Sequence, residues 1–320
     1  MKNKKVWITS SGVILVCALL SLFLLDFSQL NRERVSGASF VNGNQDTPSV
    51  VTTVEEEELQ ESSNIDAKPV AEIVKEKVRE VIEGTFAFFS NGKKIVAIGD
   101  SLTQGVGDET DSGGYVGILN HTFEDNNLDI SIQNFGKRGN RTDQLLKRLE
   151  TEEVASAVKD ADIMLITIGA NDIMKVIRSN YTNLKIEPFQ EEKKKYVVRL
   201  TAIFNKINEL NPDIQVYLIG FYNPFERYFG DIEQLDMILN DWNEAGELVT
   251  EEYENINYIP TKDLFSHSSI NLLADDNFHP NTIGYKLMAQ RVLEYLNKYE
   301  ETELPIEVTK IEGEVNGSTD

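Results

Sequence analysis

Cysteine is nearly absent from this chain. Cys17 stands alone among 320 residues, so no intramolecular disulfide can staple the fold, and a core of this size needs none. Histidine is almost as scarce: the three are His121, His267 and His279. No Cys/His spacing suits a zinc ion, and no Walker-type glycine loop occurs. Basic residues are in deficit, 31 against 53 acidic, for a net charge of −22. Residues 93–299 alone carry −12. An acidic body repels phosphate backbones, which disfavours nucleic-acid binding, and it gives no attraction to an anionic lipid surface. Internal repeats are lacking as well.

Apolar residues are unevenly spread. Val6 to Leu25 is an uncharged stretch of twenty residues, preceded by Lys2, Lys4 and Lys5 and closed by Asp26. Its length matches a bilayer core, and the lysines predict a cytoplasmic N-terminus. A cleaved signal peptide competes, but its best small-residue site, Ser36-Gly37-Ala38, lies far beyond the apolar run. Lipidation at Cys17 wants a small residue before it, where Val16 stands. Residues 1–27 are therefore expected to be a retained anchor with the rest of the chain outside the cell membrane; a secreted or lipid-anchored form is the alternative. Residues 28–68, with Glu55 to Glu58, have the composition of a disordered acidic linker. Val70, Ile73, Val74, Val78, Val81 and Ile82 have helical spacing, so 69–92 reads as a bordering helix and linker. Residues 300–320 read as a solvated acidic tail.

Between 93 and 299 short apolar segments alternate with amphipathic ones. Strands are expected at 94–99, 129–134, 162–168, 214–220 and 256–259, and helices at 114–126, 141–158, 190–210, 231–253 and 282–299. The strands lack strict alternation, as when both faces are covered, so an α/β fold with a five-stranded parallel sheet between helix layers follows. Ligands in such folds bind beyond the C-terminal strand ends. Ser101, Gly139 and Asn171 each fall just past one.

Lys94 to Ile98 runs into Gly99-Asp100-Ser101-Leu102. Serine after a strand is often a turn or N-cap residue; as a nucleophile it needs a base within hydrogen-bond reach and a third group to orient that base. Thr103 occupies the place of the second glycine of a G-x-S-x-G elbow. Asp100 beside the serine points elsewhere. Pro280 keeps His279 out of the last helix, and Asp276, in the same short loop, is placed to accept from its other ring N–H. His121, in a predicted helix, and His267, in a polar loop, read as surface or structural residues. The Asn171 amide suits either a helix cap or a developing oxyanion, and Gly139 allows close backbone approach. Asp108 to Ser112 lacks the later bidentate glutamate of a calcium loop and reads as solvated. Phe221-Tyr222-Asn223-Pro224-Phe225 follows a strand and is placed to line the acyl side of a cleft or to pack.

Four blocks in order resemble the SGNH, or GDSL, hydrolase family: Gly99 to Leu102, Asn134 to Gly139, Gly169 to Asp172 and Asp276 to Pro280. The resemblance spans about 94–299. It implies a flavodoxin-like three-layer α/β/α sandwich with Ser101 as nucleophile, His279 as base and Asp276 orienting it. An oxyanion hole of the Ser101 and Gly139 N–H groups and the Asn171 amide is implied as well, with no metal and no cofactor. Two positions depart from the pattern: Asn140 follows Gly139 where the family has aspartate, and Asn277 follows Asp276 where glycine is common. Asparagine tolerates left-handed backbone better than most residues. The expected function is a monomeric serine esterase acting on lipid-like or short acyl esters through an acyl-enzyme. An O-acetyl esterase of cell-wall glycans is the runner-up, and a silent surface-binding module the reading from another class.

Overall fold

A computed structural model of the chain describes residues 92–110, 112–180, 185–230 and 232–303. The expected anchor at 1–27, the linker at 28–68, the bordering helix before Gly92 and the tail beyond Glu303 lie outside the described residues. Among those described, no helix is long and apolar enough to cross a membrane. Of the described residues, 92–176 and 185–303 belong to one compact unit, and 177–180 fall outside it.

Five parallel strands form one sheet: β1 (Lys93–Gly99), β2 (Ile130–Gly136), β3 (Ile163–Thr167), β4 (Gln215–Ile219) and β5 (Ile256–Ile259), in the order β2-β1-β3-β4-β5. The helices are α1 (Ser101–Gln104), α2 (Gly114–Asp125), α3 (Thr142–Arg148), α4 (Glu152–Lys159), α5 (Ala170–Asn180), α6 (Ile186–Leu210), α7 (Glu226–Phe229), α8 (Glu233–Thr250), α9 (Lys262–Phe265) and α10 (Thr282–Glu303). Side chains alternate faces along a strand. Ile95, Ala97, Ile163, Leu165, Tyr217 and Ile219 face a core built with α2 and α10. Val96, Ile98, Met164, Ile166, Val216 and Leu218 are equally buried on the opposite face, where α3, α6 and α8 pack together. Covering both faces removes any need for polar alternation, which is why the strands read as continuous apolar runs. The three-layer expectation holds.

Register places the site. Gly99 pairs with both Gly136 and Thr167, Thr167 with Ile219, and Ile219 with Ile259. All five strands therefore end at one level, and the loops leaving β1, β2, β3 and β4 emerge side by side. The order reverses at β1 and β3, where a crevice opens between connections that leave in opposite directions. Gly99 is required there, since a Cβ on it would lie 2.2 Å from the Thr167 carbonyl oxygen.

Several boundaries differ from expectation. The helix expected over 141–158 is two, because Thr151 turns extended (φ −74°, ψ 143°) and restarts it as α4. β2 runs on to Gly136 instead of ending at 134, since its ladder with β1 continues to Gly99. Helix α5 was not among the expected helices, and α10 continues past 299 into the expected tail. The loop of Asp108 is exposed at Glu109 and Thr110, as expected, but Asp108 itself is buried. The Asp108 carboxylate accepts from Thr110 N, Thr110 Oγ1, Ser112 Oγ, Gly114 N and Thr282 Oγ1. Burial raises its pKa, but these donors outweigh it and hold the carboxyl well below the usual range. Asp108 thus ties the loop before α2 to the first residue of α10, next to the histidine loop.

Candidate active site

Ser101 opens α1. The Asp100 side chain caps that helix by accepting from Leu102 N at 3.0 Å, and Gly105, at φ 85°, closes it. This short turn exists to carry the chain sharply off β1, and it leaves Ser101 at the strand end. Asp100 Oδ1 also accepts from Thr167 Oγ1 at 3.0 Å, so the acid points into the β1/β3 seam. Burial pushes its pKa up to about 6, against the opposing pull of the Leu102 N–H, Thr167 and His279.

His279 reaches Ser101 from 178 residues away: its Nε2 lies 2.9 Å from Ser101 Oγ. On the other side, His279 Nδ1 lies 2.5 Å from Asp276 Oδ2. Asp276 Oδ1 accepts from Phe278 N at 3.0 Å and from His279 N at 2.9 Å. Burial raises the Asp276 pKa, yet the bonds from His279 and Phe278 prevail and keep the carboxyl below its ordinary range. A fixed carboxylate at Nδ1 selects the tautomer with hydrogen on Nδ1 and the lone pair on Nε2, aimed at the serine.

The loop is held rigidly. Ala274 N donates to the His279 carbonyl and Asn277 N to the Ala274 carbonyl, both at 2.9 Å. Leu273 and Pro280 form an antiparallel bridge. Asn277 adopts φ 54°, the left-handed turn for which glycine would otherwise be chosen. Its Oδ1 accepts from Tyr228 Oη at 2.8 Å, a contact glycine cannot make. Tyr222 Oη donates to the Phe278 carbonyl at 2.6 Å.

Asn171 lies in the first turn of α5, two residues inside the cap position, which Gly169 occupies. Its Nδ2 donates to the Asn140 carbonyl at 3.1 Å, which leaves the second amide hydrogen for another acceptor. Gly139 has φ 76° with open space where a Cβ would stand. A buried network fastens these two loops: the Asp172 carboxylate accepts from Thr142 N and Oγ1 and from Arg199 Nη2. Burial raises the Asp172 pKa against the pull of Thr142 and Arg199.

Gly99 to Leu102, Gly139 and Asn171 thus meet Asp276 and His279 at one end of the sheet. The profile of the family described as GDSL-like lipase/acylhydrolase matches residues 97–287. The chain belongs to that family. It is 36% identical over 208 residues to the uncharacterized protein YpmR of Bacillus subtilis, covering 64% of this chain and 81% of YpmR. It is 27% identical over 201 residues to the spore germination lipase LipC of Bacillus licheniformis, covering 61% of this chain and 92% of that one. Among solved structures, the lipase Lip_vut3 from a goat rumen metagenome matches with a TM-score of 0.57 and 27% identity. That match covers 65% of this chain and 98% of the lipase.

His121 is exposed on α2, and the His267 side chain is 95% exposed; neither joins the site. Among the described residues no cluster of His, Cys, Asp and Glu is arranged to hold a metal. Thr103, Thr167, Arg148 and Tyr222 support the site without having been singled out for that role by sequence. Of these, Thr103 shows in the sequence only as standing in place of an elbow glycine, and Tyr222 only inside the aromatic run after β4. A cleft beside Ser101 is lined by Ile173, Met174, Phe221, Phe225, Leu239 and Phe278 among others, and the space open to water within it is about 30 Å³.

Proposed function

We propose that the chain hydrolyses carboxylic esters with apolar acyl groups through an acyl-enzyme on Ser101. The observation that carries this reading is the unbroken hydrogen-bonded line Ser101 Oγ–His279 Nε2, His279 Nδ1–Asp276 Oδ2, at 2.9 and 2.5 Å. His279 Nε2 takes the Ser101 proton as Oγ attacks the ester carbonyl carbon. The carbonyl π pair moves onto oxygen, where the Ser101 and Gly139 N–H groups and the free Asn171 amide hydrogen receive it. Collapse expels the alcohol, which leaves with the proton from His279. Water then repeats the sequence on the acyl-enzyme and frees the acid. Asp276 stays ionised throughout and stabilises the imidazolium.

The cleft favours an apolar acyl group, since its walls are mostly apolar and aromatic. Acetylated glycans are favoured instead by the polar side chains of a neighbouring recess, Asn223, Glu226, Arg227, His267 and Asn271, set among Phe265, Ile270, Leu272 and Leu273; the recess shares Pro224 with the cleft. Turnover of p-nitrophenyl esters from acetyl to decanoyl, beside release of acetate from acetylated oligosaccharide, tests the two. A maximum on medium or long chains, abolished in Ser101→Ala, supports the first reading. Turnover of acetylated oligosaccharide alone supports the second.

The lysine-flanked run Val6 to Leu25 supports a site outside the cell membrane. Protease added to protoplasts is expected to release activity from the membrane fraction. Activity that stays protected until lysis would contradict that placement.

A further inference from the structure

Asn140 stands beside the oxyanion-binding loop; besides donating to the Lys137 carbonyl through its backbone N–H and to Gln144 Oε1 through Nδ2, it accepts two bonds that bear on the site. Its carbonyl accepts from Asn171 Nδ2, and its side-chain Oδ1 accepts from Arg148 Nη1 at 2.7 Å. Arg148 also donates through Nη2 to the Phe135 carbonyl at 2.6 Å, and Nη1 lies 3.5 Å from the Gly99 carbonyl oxygen. One guanidinium therefore joins the ends of β1 and β2 to the residue that holds Asn171. All three of its acceptors are neutral, and among the described residues no carboxylate forms an ion pair with it. Burial lowers its pKa, Glu153 acting weakly the other way; arginine nonetheless stays charged.

Resting on the reading of Asn171 and Gly139 as oxyanion donors, we infer that Arg148 is a positioning residue whose unpaired charge, kept so by Asn140, strengthens the oxyanion hole. A carboxylate at 140 would hold the same clamp and cancel the charge. The neutral amide holds the clamp and leaves the field intact. A half-buried cation directed at neutral dipoles raises the potential along Asn140 and the amide it orients, where negative charge appears only in the transition state. A unit charge roughly 10 Å from such an oxyanion, at an effective dielectric of about 20, is worth about tenfold in rate.

The near-isosteric Asn140→Asp makes the test. It is expected to lower kcat about tenfold with KM unchanged, to weaken a trifluoromethyl ketone inhibitor, which binds as the oxyanion, by the same factor, and to keep or raise Tm. Wild-type kcat with Tm kept or raised would overturn the inference, because the clamp would then act by geometry alone. Should that variant fail to fold, Arg148→Lys against Arg148→Gln makes the same comparison: lysine must retain distinctly more kcat, and equal loss in both refutes a role for charge. Failure of the underlying reading looks different, since Asn171→Ala would then leave kcat intact.

Discussion

Replacing Asp276 with asparagine alters one atom and inverts the chemistry of the dyad. Asp276 Oδ1 receives two backbone donors, Phe278 N at 3.0 Å and His279 N at 2.9 Å, while Oδ2 faces His279 Nδ1. An asparagine amide keeps its oxygen on those two N–H groups, because flipping would forfeit both bonds at about 1 kcal/mol each. Its NH₂ then donates to Nδ1. The imidazole must carry its hydrogen on Nε2, which lies 2.9 Å from Ser101 Oγ, and can no longer accept the serine proton. A wrong-tautomer triad loses about 10⁴ in kcat, or about 5.4 kcal/mol of transition-state stabilisation. KM should change little, as Asp276 touches no substrate atom. Initial rates on the best p-nitrophenyl ester, with Tm recorded on the same samples, decide it. A kcat within tenfold of wild type would refute the argument and remove Asp276 as the orienting group.

Asn171→Ala removes one oxyanion donor and should cut kcat by about 10²–10³ at near-constant KM; a raised KM with kcat intact would make Asn171 a substrate-binding group instead. Asp100→Asn concerns stability. The unfolded carboxyl releases its proton near the ordinary value of 3.8, whereas the folded one holds it to about 6. Across that window the folded state binds more protons, so wild-type stability falls as pH rises, by up to about 3 kcal/mol. The variant escapes that loss, and its urea midpoint should gain on wild type between pH values of roughly 4 and 7; a pH-independent difference would contradict the raised pKa. Gly99→Ala drives a Cβ to 2.2 Å from the Thr167 carbonyl oxygen, at about 3 kcal/mol, so Tm should fall by roughly 6–12 °C in thermal melts. An unchanged Tm would mean that the β1/β3 seam yields freely.

Much of this was legible in the sequence because the sheet is buried on both faces. Runs such as Ile163 to Thr167 have no polar interruption, and their alternation with helices admits few topologies. Ser101, Gly139 and Asn171 were found as residues just past strand ends, and the structure brings His279 and Asp276 to the same edge. What stayed hidden rests on contacts between distant residues. Arg148 meets Gly99 only after β1 and β2 pair, and Asp108 reaches Thr282 across 174 positions. Helix α5 begins on Ala170-Asn171-Asp172, residues that equally suit a turn, so the pattern left it unassigned. The two family departures were visible as substitutions, but their consequences were not. Asn277 gains a bond from Tyr228, and the Asn140 side chain accepts from the guanidinium of Arg148.

The central claim is that Ser101 is the nucleophile, activated by His279. Peptide mapping by mass spectrometry after reaction with a fluorophosphonate tests it directly. The adduct should sit on the peptide containing Ser101, appear in step with loss of ester hydrolysis, and vanish in Ser101→Ala. An adduct on a different residue, or full hydrolysis by Ser101→Ala, would contradict the account.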